Sequence, residues 1–341
     1  MNIRAYVFYN HPAYAWLAEN AAISFAKWHP DIIVNVVTPK SCHKGYAQFS
    51  PGLQKTINAE HIILENKVDK LILLGADTIT TGRLTEFLES DEDILHTLDY
   101  EGVHPLGYDK PQVNADVVCF NNKKSLINPE GGAIRFINQL AILAGGPYYE
   151  QGSQNMAIYG EPVEFPICAN LRQMEPDRYE EIEQKKKDST AKYVLENSKN
   201  FTHKIIDTPE SRVVYNARSK QLPGEVVGDE TFKKNIESFK VVDGKLMTSD
   251  DRHIKVFHIC EGLGARVTNK RFRDLIEKYL GWFNDDTVDF FTKQCNCTDI
   301  FRTKKYPKWK DEDKFEFDEY TIDIARKAGL NVSRFEPKEK H

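Results

Sequence analysis

Short β-rich apolar runs alternate with helix-like patterns along the first 125 residues. Residues 3–9 read as a strand, broken by Tyr9-Asn10-His11-Pro12. Residues 12–28 bring Trp16, Ala21, Phe25 and Trp28 near one face, the spacing of an amphipathic helix. Residues 31–37 form the next β-rich run, closed by Thr38-Pro39, and residues 52–66 return to a helical period. The run at 70–74 is continuously apolar after its lysine, the pattern of a strand covered on both faces. Strand, helix, strand, helix, strand in this order predicts an α/β fold with a mainly parallel sheet and helices on both faces. Ligands of such sheets bind beyond the carboxyl ends of the strands, so the residues that follow each strand matter most.

Further along, residues 178–200 read as a polar helix whose charge run suits a solvated face. Short strands return at 212–215, 238–242, 245–247 and 253–258, with Asp243-Gly244 as a hairpin turn. After Gly264 the chain becomes helical and charged, which predicts a helical C-terminal extension.

Composition narrows the class. Of 341 residues, 40% are hydrophobic and 28% charged, the balance of a soluble globular protein with one large domain or two ordinary ones. No apolar run approaches the roughly 20 residues needed to cross a bilayer, and the N-terminus lacks a signal-peptide core, so a cytoplasmic location is expected. A net charge of −5 gives no global attraction to nucleic acid or anionic lipid. The six cysteines, at 42, 119, 168, 260, 295 and 297, lie mostly in apolar runs and read as reduced, packed thiols. Cys295-Asn296-Cys297 is too tightly spaced for the usual zinc pair.

Four clusters carry candidate chemistry. Gly75-Ala76-Asp77-Thr78 follows the apolar strand, and a carboxylate there can hold a hard cation that in turn holds a diphosphate. Lys255-Val256-Phe257-His258 runs into a glycine-rich turn with Gly262 and Gly264. Imidazole suits manganese, and glycines let backbone approach phosphate. Taken alone, His258 also reads as an ordinary core or turn histidine. Asn114-Ala115-Asp116 precedes the apolar run 117–120, where a strand-edge cap is the plain alternative. Glu150-Gln151-Gly152-Ser153-Gln154-Asn155 opens a helical pattern, where Glu150 also fits a helix-start acid favoured by the dipole.

The order of these clusters resembles the GT-A fold nucleotide-sugar glycosyltransferases, in particular the glycogenin-like retaining family, family 8. The resemblance runs over roughly residues 1–266 and includes Tyr215-Asn216. It implies a GT-A catalytic domain over 1–266, with an insert at about 170–210, and a mainly helical extension over 267–341. It implies a metal site at Asp77 and His258, with manganese the expected ion and magnesium an alternative. Phe8, Tyr9, Asn10, Ala76, Gly262, Gly264 and Arg266 would contact the nucleotide diphosphate. Asn114, Asp116, Glu150 and Gln151 would surround the transferred sugar. The implied reaction moves a sugar from a UDP-sugar, or another nucleotide-diphosphate donor, with retention.

This chain departs from the pattern at particular positions. Gly75 stands where the metal motif has its first acid. Asp116 stands where the sugar segment has a glycine. Glu150 replaces an aspartate, and Arg266 is the nearest cation to the position of a phosphate-binding lysine. An acid restored at 75 should tighten manganese binding unless Gly75 holds a backbone angle that only glycine tolerates.

The acceptor is open among a protein, a glycan, a small metabolite and a nucleic acid, with no membrane partner expected. Basic stretches at 185–187, 270–273 and 302–310, the last interleaved with aromatics, keep a modified nucleic-acid base in view, as in some bacteriophages. A non-catalytic nucleotide-sugar binder on the same fold is the alternative of another class. A dinucleotide oxidoreductase is disfavoured, because no G-x-G-x-x-G follows the first strand.

Overall fold

The computed structural model describes residues 1–9, 15–37, 51–98, 113–128, 131–144, 150–159, 201–207, 213–216, 239–258 and 284–297. A six-stranded sheet forms its centre. The strands are β1 (Ile3–Phe8), β2 (Ile33–Val37), β3 (Lys70–Gly75), β5 (Ile94–Leu98), β6 (Val113–Asn121) and β7 (His203–Ile205). Their spatial order is β2-β1-β3-β6-β5-β7. All run the same way except β6, which pairs antiparallel with both neighbours. The fold is therefore mixed α/β with a largely parallel main sheet.

The sheet has an apolar layer on each face, as strand alternation requires. On one side Tyr6, Phe8, Leu71, Leu73, Val118 and Phe120 pack against α2 (Pro51–Asn66), α4 (Gly132–Ala144) and α5 (Glu150–Tyr159). On the other, Ala5, Val7, Ile72, Leu74, Val117 and Cys119 meet Ala18, Ala21, Ala22 and Phe25 of α1 (Ala15–Trp28). Phe87, from the short α3 (Thr85–Glu89), joins that second layer.

All six residues of β3 are buried, including its lysine. Lys70 begins the strand with its Nζ 3.2, 2.7 and 2.6 Å from the carbonyls of Phe87, Leu88 and Ser90. A buried ammonium is tolerable there because it caps carbonyls that α3 leaves without intrahelical donors.

A second sheet, β4-β11-β8, closes over the C-terminal end of β3. It comprises β4 (Thr78–Thr80), β8 (Val214–Asn216) and β11 (Val256–His258). His258 pairs with Thr78 on one side and Asn216 on the other, so the chain beyond Gly75 is brought against the end of a strand nearly two hundred residues away. The remaining hairpin joins β9 (Lys240–Val242) to β10 (Lys245–Met247). Asp243 and Gly244 both take positive φ, 51° and 72°, as a type I′ turn demands. Near the end of the described chain α6 (Asp285–Asp289) continues into a wide turn at Phe290–Gln294.

Cys119, Cys295 and Cys297 are buried and free. No helix among the described residues is long and apolar enough to cross a membrane. The expected polar helix at 178–200, most of the C-terminal extension and the three basic stretches lie outside the described residues.

Candidate metal centre

At the C-terminal edge of β1 and β3, three side chains from distant parts of the sequence converge. Asp77 comes from the turn between β3 and β4. Asp116 comes from the first half of β6, which reaches this edge because β6 runs antiparallel to β3. His258 ends β11. One ligand atom from each lies within 4.8 Å of the others. His258 Nε2 is 3.3 Å from Asp77 Oδ1 and 3.4 Å from Asp116 Oδ2.

The local structure holds each of them. Thr78 Oγ1 donates to the Gly75 carbonyl at 2.7 Å and closes the turn that presents Asp77. Asn114, 1% exposed, spans the other two. Its Oδ1 accepts from the Asp116 backbone N–H at 2.6 Å, and its Nδ2 lies 3.1 Å from His258 Nδ1. With the amide donating to Nδ1, a neutral His258 ring carries its proton on Nε2, the nitrogen nearer the two carboxylates. A metal ion bound at Nε2 would take the place of that proton.

Asp116 also meets a cation. Lys55, on the buried face of α2, puts its Nζ 2.6 Å from Asp116 Oδ1 and 3.1 Å from the Ala115 carbonyl. Burial by itself would raise the Asp116 carboxyl. The Lys55 ammonium and His258 outweigh it and hold that carboxyl well below the usual carboxylate range. Lys55 is in turn fixed from the sheet, since the hydroxyl of Tyr6 in β1 donates to the Lys55 carbonyl.

Two carboxylates and an imidazole form a donor set suited to manganese or magnesium, with oxygen predominating. The residues fit such an ion: the ligand atoms already converge, and a nearby lysine balances part of their charge. Two carboxylates with Lys55 carry a formal charge of −1. A divalent cation would turn this to +1, a favourable surface for a diphosphate.

Asn114 and Asp116 fall within β6, which begins at Val113, and so line the site from a strand interior. A β-bulge where β5 pairs with β6, between His96 and Thr97, lies beside this stretch. Ala76 is buried between Gly75 and Asp77. Phe8 is the cross-strand partner of Gly75 and packs into the core, and Tyr9 follows it, half-buried.

Glu150 opens α5. Gln151 accepts through its carbonyl from Asn155 Nδ2 at 2.8 Å, while Asn155 Oδ1 accepts from the Val113 backbone N–H at 3.0 Å. The first turn of α5 is thereby tied to the start of the strand that carries Asn114 and Asp116. Asn10, Gly262, Gly264 and Arg266 lie outside the described residues.

Gly75 does not adopt positive φ; among the described glycines only Gly132 and Gly244 do. Its constraint is space. A Cβ added there would lie 2.8 Å from Asp116 Cβ and 2.9 Å from Asp116 Cγ.

Sequence reasoning missed Lys55. Its signal is the stripe Lys55, Ala59, Ile63 at helical spacing, all three buried. A lysine on an otherwise apolar helix face needs a buried counter-charge.

The sequence matches no protein-family model and no curated protein. In three dimensions the chain is similar to solved glycosyltransferases. One is a glycosyltransferase involved in the glycosylation of the major capsid of PBCV-1. It is 10% identical, with a TM-score of 0.38 over 77% of this chain and 95% of that one. Another is the galactosyltransferase LgtC in complex with donor and acceptor sugar analogues. It is 14% identical, with a TM-score of 0.37 over 89% of this chain and 98% of that one. A third is the apo form of GlyE from Streptococcus pneumoniae TIGR4, 14% identical, with a TM-score of 0.32 over 63% and 68% of the two chains.

Proposed function

We propose that this chain is a metal-dependent glycosyltransferase that transfers a sugar from a nucleotide-diphosphate donor, a UDP-sugar in the first instance, with retention. The observation that carries the reading is the convergence of Asp77, Asp116 and His258 at the carboxyl edge of a largely parallel sheet. That edge is where such sheets bind ligands. The motif order from Gly75-Ala76-Asp77 through Asn114 and Glu150-Gln151 to His258 supports it independently.

In this reading Asp77 and His258 hold a divalent cation, manganese or magnesium. When bound, the ion supplies positive charge against the diphosphate leaving group as the glycosidic bond breaks. The chain's own residues do the rest. Lys55 keeps Asp116 ionised, and Asn114 sets the plane and tautomer of His258. Asp116, Glu150 and Gln151 face the sugar, where carboxylate and amide oxygens stabilise the oxocarbenium character that develops at the anomeric carbon, and Asn114, buried with both ends of its amide engaged, holds Asp116 and His258 in place behind them. The end of β1 lies against base and ribose, with Phe8 offering only its backbone, since its ring is in the core, and Tyr9 and Asn10 following it. Ala76, Gly262, Gly264 and Arg266 take backbone and guanidinium contacts to the diphosphate.

Donor hydrolysis tests this reading. The purified chain is incubated with a panel of UDP-sugars, with manganese or with chelator, while UDP release and thermal stability are followed. Slow, manganese-dependent UDP release from one sugar is the expected result. A donor that raises thermal stability without any release identifies a non-catalytic binder. Neither effect with any nucleotide sugar overturns the reading.

A further inference from the structure

Gly75 and Asp116 face each other across the β3–β6 pair. The antiparallel register ends with Leu74 opposite Val117, and Gly75 and Asp116 are the next residue on each strand. Opposed residues of such a pair ordinarily keep their Cβ atoms about 4.5–5.5 Å apart. Here a Cβ at 75 would come within 2.8 Å of Asp116 Cβ, and Asp116 Oδ1 would stand 3.0 Å from it. One side chain fits into this corner, not two. Since Gly75 does not take positive φ, its backbone does not demand glycine.

We infer that Asp116 is the third metal ligand of this site, a carboxylate rooted on β6 in the space that a side chain from position 75 of β3 would occupy, and that Gly75 is glycine to make room for it. The inference rests on the metal-dependent reading above and adds direct ligation to the sugar contact given there to Asp116. Asp116 is oriented for ligation by its neighbours. Lys55 takes Oδ1 at 2.6 Å, which leaves Oδ2 on the side of His258 Nε2, 3.4 Å away. The Asn114 side chain fixes the Asp116 backbone at 2.6 Å. Asp77 Oδ1 approaches the same imidazole nitrogen at 3.3 Å, so both acids share one focus. Positions 75 and 116 are then a single carboxylate position that either strand can supply.

The test is manganese binding, measured by calorimetry and by electron paramagnetic resonance of the free ion, without donor or acceptor. Four proteins are compared with the wild type: Asp116→Asn, Asp116→Gly, Gly75→Asp and the double variant Gly75→Asp/Asp116→Gly. Both single changes at 116 should weaken manganese binding by more than about 10²-fold, as loss of a direct ligand exceeds the roughly 10–100-fold cost of losing a supporting hydrogen bond. Asp116→Asn keeps the shape, so its folding is expected to survive. Gly75→Asp alone should melt earlier than wild type, because two carboxylates then compete for one space. The double variant should recover manganese affinity to within a few-fold of wild type and regain the melting temperature lost by Gly75→Asp.

Wild-type affinity in Asp116→Asn, or a double variant that binds manganese no better than Asp116→Gly, overturns the inference while leaving the metal-dependent reading intact. A wild-type protein that binds no divalent cation overturns both.

Discussion

Lys55 Nζ and Asp116 Oδ1 lie 2.6 Å apart, a buried ammonium on helix α2 against a carboxylate on strand β6. The lysine side chain is 5% exposed and the aspartate side chain 34%, so the pair sits at the wall of the site rather than in the deep core. Removing one partner leaves the other partly buried without its counter-charge. Lys55→Met is expected to lower stability by about 1–3 kcal/mol, the cost of an unsatisfied charged group at a site still touched by water. Manganese should then stabilise Lys55→Met more than it stabilises wild type, since the ion takes over as the counter-charge of Asp116. Thermal melts with and without manganese decide this, and equal metal-induced shifts in the two proteins would count against a metal beside Asp116.

Asp77 is the acid that the sequence motif singles out and that the structure brings beside Asp116 and His258. Its turn is closed by the Thr78 hydroxyl on the Gly75 carbonyl, a bond that Asp77→Ala leaves in place. Asp77→Ala should therefore fold normally by circular dichroism while manganese-dependent UDP release falls by about 10²-fold or more, the scale for removing a preorganised electrostatic group. Undiminished release from Asp77→Ala in the presence of chelator would remove the metal from the mechanism.

His96 gives the fold a pH dependence unconnected with the site. It is fully buried in β5, with its ring near Phe136 and His203, and neither ring nitrogen has a hydrogen-bond partner among the described residues. Burial, with a smaller push from His203, lowers its pKa from 6.5 to about 3. The unfolded chain binds this proton more readily than the native one. Its contribution to stability is therefore complete above the unfolded value and is lost as pH falls from about 6.5 toward 3. His96→Phe removes the titration and keeps an aromatic ring in the layer. Chemical denaturation at pH 7 and pH 5 should show wild type losing roughly 2 kcal/mol more than His96→Phe over that interval. His29 and His253, both lowered to about 4, titrate in the same window but are present in both proteins and cancel in the difference. Parallel stability curves would show that His96 is hydrated in the folded state.

Much of this architecture was legible because the apolar runs of β1 and β3 are the stretches the structure buries. The run at 70–74 is apolar on both faces, and β3 is the central strand, covered by helices on one side and by α1 on the other. Strand β4 is three residues long and β5 carries His96 and Thr97 among its five, so neither offered a period to read. The site was half legible. Asp77 and His258 stand at strand ends, where a linear reading looks for ligands. Asn114 and Asp116 were expected just before a strand. They lie inside β6, and they reach the ligand edge because that strand runs antiparallel and presents its first residues, not its last, there. The exclusion between Gly75 and Asp116 depends on a cross-strand distance that no local pattern encodes.

Glu150 separates a catalytic reading of α5 from a purely structural one. It opens that helix, and the first turn is bound through Asn155 to Val113 at the start of the strand that carries Asn114 and Asp116. A carboxylate acting on the sugar strengthens its interaction only as positive charge develops at the anomeric carbon, so it lowers the barrier without tightening donor binding. Glu150→Gln keeps the length and hydrogen-bonding capacity of the side chain and removes its charge. Turnover should fall by about 10²-fold or more while UDP affinity, measured by calorimetry with manganese present, stays within a few-fold of wild type. A helix-start acid, by contrast, contributes about 0.3–1 kcal/mol through the dipole. In that case Glu150→Gln would melt slightly earlier and turn over at the wild-type rate, and the sugar would have to be held from β6 alone.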